Sequence, residues 1–166
     1  MTASIQVTLD DRDVMAKLAE VAARGKNLEP ALAGFGDYLV LVTRDRFETE
    51  QDPDGKPWKP LSVFTLMLKK GSGILTESTD LRNSFHRQAD SISVRMGTDR
   101  PYAALHQFGL KKTLNIRSHT RKGKTGTAVV KAHTRKVDMP ARPFLGFTDQ
   151  DRVELIETIK DHLLRD

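Results

Sequence analysis

Residues able to do acid–base, nucleophilic or metal chemistry are few in this chain, and they are scattered. Five histidines, His86, His106, His119, His133 and His162, include no pair at the helical spacing of a zinc site, and there is no cysteine. The missing thiols exclude a disulfide framework, an iron–sulfur cluster, a cysteine zinc site and a thiol nucleophile, and they fit a reducing compartment. Ser62, Ser72, Ser78 and Ser84 lie in no nucleophile-elbow pattern. The carboxylates of Asp37, Asp45, Glu48 and Glu50 suit the wet face of a helix rather than a catalytic pair. Asp52-Pro53-Asp54-Gly55 starts like a calcium loop but lacks the later ligands and the bidentate glutamate. Gly71-Ser72-Gly73 with its nearby lysines is too short for a phosphate-binding loop. His106 sits among apolar neighbours, where a core histidine hydrogen-bonded to backbone explains it better than a catalytic base. The expectation is a non-enzyme with no catalytic residue, cofactor or metal.

Charge is the stronger signal. The 166 residues carry a net charge of +5, yet Arg100 to Val137 contains no acidic residue. Arg100, Lys111, Lys112, Arg117, Arg121, Lys122, Lys124, Lys131, Arg135 and Lys136 all fall in that window, so the rest of the chain is net acidic. Thr113–Arg117 and Thr127–Lys131 read as strands around Lys122-Gly123-Lys124-Thr125-Gly126-Thr127, a mobile turn, giving a basic hairpin or flexible arm over 110–137. Its cations are candidates to face nucleic acid or a partner's acidic surface. No reading helix, zinc finger or aromatic platform accompanies them, so sequence-specific DNA recognition is not expected.

The elements that must carry this arm follow from length and periodicity. The length fits one domain over 1–166, and 38% hydrophobic residues suit a globular core. No apolar run approaches the ~20 residues needed to cross a bilayer, and the start lacks a signal-peptide pattern, so use inside a cell or its assemblies is expected. Ile5–Leu9 alternates like a strand. A helix follows with Val14, Leu18 and Val21 on one inward face before Gly25. A second runs over about 29–48 with Leu32, Phe35, Leu39, Val42 and Phe47 inward, and Gly34 and Gly36 suggest close packing. Three prolines and a glycine over Asp52–Leu61 dictate a rigid turn, with Trp58 as an anchor. Residues 81–97 read as a hairpin with Ile92, Val94 and Met96 on one face, and Pro101–Gly109 as a short helix. Met139–Phe147 is another rigid apolar turn. A last helix from Thr148 or Asp149 presents Val153, Ile156, Ile159 or Lys160, and Leu163 as its buried stripe.

Four segments taken in order resemble the phage virion morphogenesis (tail completion) family of Mu-like and related tailed phages. They are Pro53–Leu61; Ile74-Leu75-Thr76 through Leu81–Phe85; Tyr102–Gly109; and Met139–Gly146. Thr79-Asp80-Leu81 departs from the Thr-Gly that often precedes the leucine in that family. The resemblance implies an α+β fold, an antiparallel β-sheet packed against N-terminal and C-terminal helices. It also implies a structural protein of tail completion and head–tail joining, assembled in the host cytoplasm and located at the tail or neck of the virion. Its partners would be itself, in a ring (hexameric in related proteins), neighbouring neck, tail-terminator or tail-tube proteins, and packaged DNA non-specifically, with no membrane. No catalytic residue carries over; Trp58, Tyr102, His106, Arg142 and Phe144 are expected to set the fold. The competing reading is a non-specific nucleic-acid-binding module working through the arm.

Overall fold

The computed structural model describes residues 12–69, 73–123 and 126–165. The expected strand at Ile5–Leu9 lies outside them, as does Lys124. Elements run α1 (Arg12–Gly25), α2 (Glu29–Thr49), α3 (Val63–Leu68), α4 (Asp80–Asn83), β1 (Phe85–Ala89), β2 (Val94–Thr98), α5 (Ala103–Phe108), β3 (Leu110–Ile116), β4 (His119–Gly123), β5 (Gly126–Val130), β6 (His133–Met139) and α6 (Asp149–Leu164). This is a mixed α+β chain in which three small two-stranded sheets, β1–β2, β3–β6 and β4–β5, accompany the helices. Among the described residues, those within 12–41, 86–97 and 149–165 form one compact unit, and those within 42–85 and 98–148 a second.

In the first unit, α2 begins where the Asn27 side chain accepts a hydrogen bond from the Glu29 amide at 3.1 Å, with Pro30 in the first turn. Ala31, Leu32, Phe35 and Val40 are its buried face. Gly36 is where the β1–β2 ribbon comes closest: a Cβ there would stand 2.7 Å from the Arg87 side chain and 2.9 Å from Val94. Next to it Asp37 receives a two-pronged bond from Arg87, at 2.8 and 3.0 Å, which holds the Asp37 carboxyl below its usual range. The β1–β2 turn is built by Asp90, whose carboxylate accepts the Ile92 and Ser93 amides and the Ser93 hydroxyl.

Two expectations for this unit change. The Val14, Leu18 and Val21 face of α1 is not a core face. Val14 is 60% and Leu18 58% exposed: α1 packs on α6, and among the described residues it buries none of its own. In α6 the buried position is Asp151, while Val153 and Ile156 of the expected stripe are 52% and 47% exposed. Periodicity finds the helices but does not say how much neighbouring structure is there to cover them.

In the second unit α2 continues to Thr49. Glu50 takes a left-handed φ of 55° and ends the helix. Asp52 then folds the proline-rich turn by accepting the Asp54 and Lys56 amides at 2.9 and 2.8 Å, with Gly55 at φ 77°. The expected hairpin over 81–97 starts later. Its first residues form the helical turn α4, so the ribbon is β1–β2 alone, and Ile92 lies in its turn 86% exposed. The segment 110–139 folds as two successive antiparallel ribbons. Leu110–Ile116 pairs with His133–Met139, and His119–Gly123 pairs with Gly126–Val130 inside it.

Candidate functional site

The second unit brings the sequence motifs together. α5 is a six-residue helix stopped by Gly109, whose φ of 74° turns the chain into β3. From α5 the Gln107 side chain reaches the Met139–Phe147 turn. Its Oε1 accepts the Phe144 and Leu145 amides, each at 3.0 Å, and its Nε2 donates to the Leu145 carbonyl at 2.8 Å. The Arg142 amide donates to the His106 carbonyl at 2.7 Å, which closes the same seam. Arg142 itself is 5% exposed and donates to the Lys59 and Pro60 carbonyls at 3.0 and 3.4 Å. Trp58, also 5% exposed, donates its indole N–H to the Pro143 carbonyl at 2.8 Å. The proline-rich turn, α5 and the second rigid turn are thus cross-linked by side chains that satisfy backbone groups, leaving few buried polar groups orphaned.

Apolar packing fixes the same point. Phe144 is fully buried, with its ring 5.3 Å from Phe47 and 5.5 Å from Phe85, and Trp58 stands edge-on to Phe47 at 5.4 Å. Arg46, 7% exposed, donates to the Phe144 and Gly146 carbonyls at 2.9 and 3.2 Å. Arg46 and Gln107 are the residues that sequence reasoning passed over. Arg46 reads as a polar position late in the long α2 and Gln107 as one on the short α5, and only their spacing from later apolar turns, known after folding, gives them a role.

His106 differs from its expectation. Its ring Nδ1 is buried with no hydrogen-bond partner, so it is not a histidine satisfied by backbone. Burial, and then the Arg142 guanidinium, push its pKa below 6.5 and keep it neutral. Tyr102, 37% exposed, lies edge-on to it at 6.1 Å. His106 opens on a cleft of about 880 Å³ bounded by Lys59, α3, Glu77, Tyr102, β6 and Arg142. Ser62 and Ser78 also line this cleft, yet no hydroxyl or carboxylate engages Nδ1, so no nucleophile–base pair is assembled. Among the described residues no group of three His, Asp or Glu could hold a metal ion.

The basic positions separate from this cluster. Lys111, Lys112, Arg117, Arg121, Lys122, Lys131, Arg135 and Lys136 are all exposed on or beside the β3–β6 and β4–β5 ribbons, and none makes an ion pair among the described residues. Only Arg135 and Lys136 also border the cleft. In β4–β5 every residue except Val130 is exposed, so neither ribbon face is covered. Among the described residues no helix is long and apolar enough to cross a membrane.

Comparison with known proteins agrees with these motifs. The sequence profile of the phage virion morphogenesis family matches residues 9–164. The chain is 31% identical to the Mu-like prophage FluMu G protein 2 of Haemophilus influenzae, over 88% of this chain and 83% of that one. It is 26% identical to the putative capsid assembly protein G of Escherichia phage Mu, over 96% and 94% of the two chains. Against the tail completion protein S of Escherichia phage P2 it is 29% identical, over 72% and 73%. No solved structure is a significant match. The chain belongs to the phage virion morphogenesis family, a family of structural proteins of particle assembly and not of enzymes.

Proposed function

We propose that this protein completes the phage tail and makes it competent to join a filled head, acting as a ring at the neck or tail end, with 1–166 working as one tail-completion domain. Tail completion is what the P2 relative is named for, and capsid assembly what the Mu relative is named for. The observation that carries the reading is the β4–β5 ribbon: a strand pair with both faces bare and a run of unpaired cations is stable as part of a larger assembly rather than as a solitary hairpin. In the ring, residues 110–137 act as a basic arm. Lys111, Lys112, Arg117, Arg121, Lys122, Lys124, Lys131, Arg135 and Lys136 engage the acidic surface of a neighbouring subunit or of another tail protein. Trp58, Tyr102, His106, Arg142 and Phe144 hold the scaffold that presents it.

The test is electron microscopy of lysates of a parent phage carrying an early stop codon in this gene. Unjoined tails beside DNA-filled heads are expected, and normal joined particles would remove the role. The same exposed cations favour a second reading, non-specific binding to packaged DNA. That reading requires an affinity falling steeply between 50 and 200 mM salt, on the order of 10³-fold or more for six or more phosphate contacts. Deleting residues 111–136 would abolish it.

A further inference from the structure

The helix α3 is turned inside out. Ser62 caps it by accepting the Thr65 amide at 3.2 Å, and Ser62, Thr65 and Lys69 line the cleft. Its apolar side chains face water instead: Val63 is 72% exposed, Phe64 71%, Leu66 48%, Met67 79% and Leu68 71%. An ordinary surface helix has the opposite arrangement. Together these side chains offer roughly 600 Å² of apolar surface, as much as the largest patch on a typical soluble monomer and often a functional one.

A second exposed apolar surface of comparable size lies on the α1–α6 pair. It leaves Val14, Met15 and Leu18 exposed on α1, and Val153, Ile156 and Leu164 on α6, at 47–66%. The two surfaces also differ in charge. Lys59 and Lys69 border α3 beside Glu77, whereas α6 carries five carboxylates, only Asp151 of them buried, against Arg152 and Lys160; α1 adds Asp13 and Glu20 against Arg12, Lys17 and Arg24. Two apolar faces of similar size totalling about 1,200 Å² meet the area of a specific interface, and the lysines beside α3 can face the acidic α6.

We infer that α3 of one copy seats on the α1–α6 face of a second copy. The contact is heterologous: each subunit gives one face and receives on the other, the arrangement that generates rings. This inference rests on the ring reading above and deepens it by naming the two surfaces that meet.

Because the chain has no cysteine, single thiols can be placed at will. Met67→Cys and Ile156→Cys both alter exposed side chains, at 79% and 47%, and should leave the fold intact, which circular dichroism checks. The full-length variants are treated with a short bismaleimide, alongside native mass spectrometry of the untreated protein. The double variant should give a ladder of covalent oligomers, a mixture of the two single variants a dimer, and each single variant alone no product. A dimer from Met67→Cys alone would overturn the inference by pairing α3 with itself. Oligomers by native mass without any ladder would overturn it while leaving the ring reading standing. A protein that is monomeric throughout and never cross-links would defeat both.

Discussion

Replacing Gln107 by methionine isolates the seam between α5 and the second rigid turn. Methionine matches glutamine in length and helix propensity, so the change removes the amide while nearly preserving volume. Three bonds are lost, from the Phe144 and Leu145 amides and to the Leu145 carbonyl. At about 1 kcal/mol per lost bond, with the groups left partly buried, the cost is about 3 kcal/mol. For a chain of this length that is a fall of about 6–12 °C in midpoint temperature. Urea or thermal unfolding followed by circular dichroism reads it directly. Gln107→Glu keeps the acceptor for both amides but sets a carboxylate oxygen against the Leu145 carbonyl, so its cost should fall when the carboxyl is protonated at low pH and can donate again. Arg46→Met should be non-additive with Gln107→Met, because Arg46 donates to the carbonyl of the same Phe144. A loss below about 1 kcal/mol for Gln107→Met would refute the claim that this amide ties the motifs together.

Further outcomes follow from other parts of the same unit and from α2. Gly109→Ala places a Cβ 2.8 Å from two backbone atoms, Ala141 N and Met139 O, at a φ of 74°, and should cost about 2 kcal/mol or more by chemical denaturation. Gly36→Ala meets mainly the flexible end of Arg87 but also Val94 at 2.9 Å, so a smaller loss of about 1–2 kcal/mol is expected. The His106 pKa lies below 6.5 in the fold, so the unfolded chain takes up the proton first as pH falls. Stability should therefore be full above about pH 6.5 and decline below it, and His106→Met should flatten that part of the profile. Trp58 is the sole tryptophan and is 5% exposed, so its emission should shift to longer wavelength on unfolding, tracking this unit alone.

Local signals in the sequence carried the backbone grammar well. Proline, glycine and aspartate spacing located the Asp52–Leu61 turn and the stop at Gly109, because each acts within a few residues. Close packing was read at both Gly34 and Gly36, and only Gly36 has it: nothing approaches Gly34 within 4 Å. Long-range polar links were not legible. Arg46 lies 98 residues from the carbonyl it binds, and Gln107 is 37 from the nearer of its two amides, distances no periodicity spans. The apolar stripes of α1 and α6 were read as core because periodicity reports amphipathicity, and an amphipathic face left at the surface has the same period as one that lines the interior.

A protein that supplies the tail-completing step should act when added back to particles made without it. The most direct measurement is complementation in a lysate from the stop-codon phage, which holds heads and tails made without the protein. Purified wild-type protein is added and infectious titre counted, beside a variant lacking residues 119–130. Wild-type protein should raise the titre by orders of magnitude while the ribbon deletion does not, although it folds and retains buried Trp58 fluorescence. A titre unchanged by wild-type protein would contradict the account.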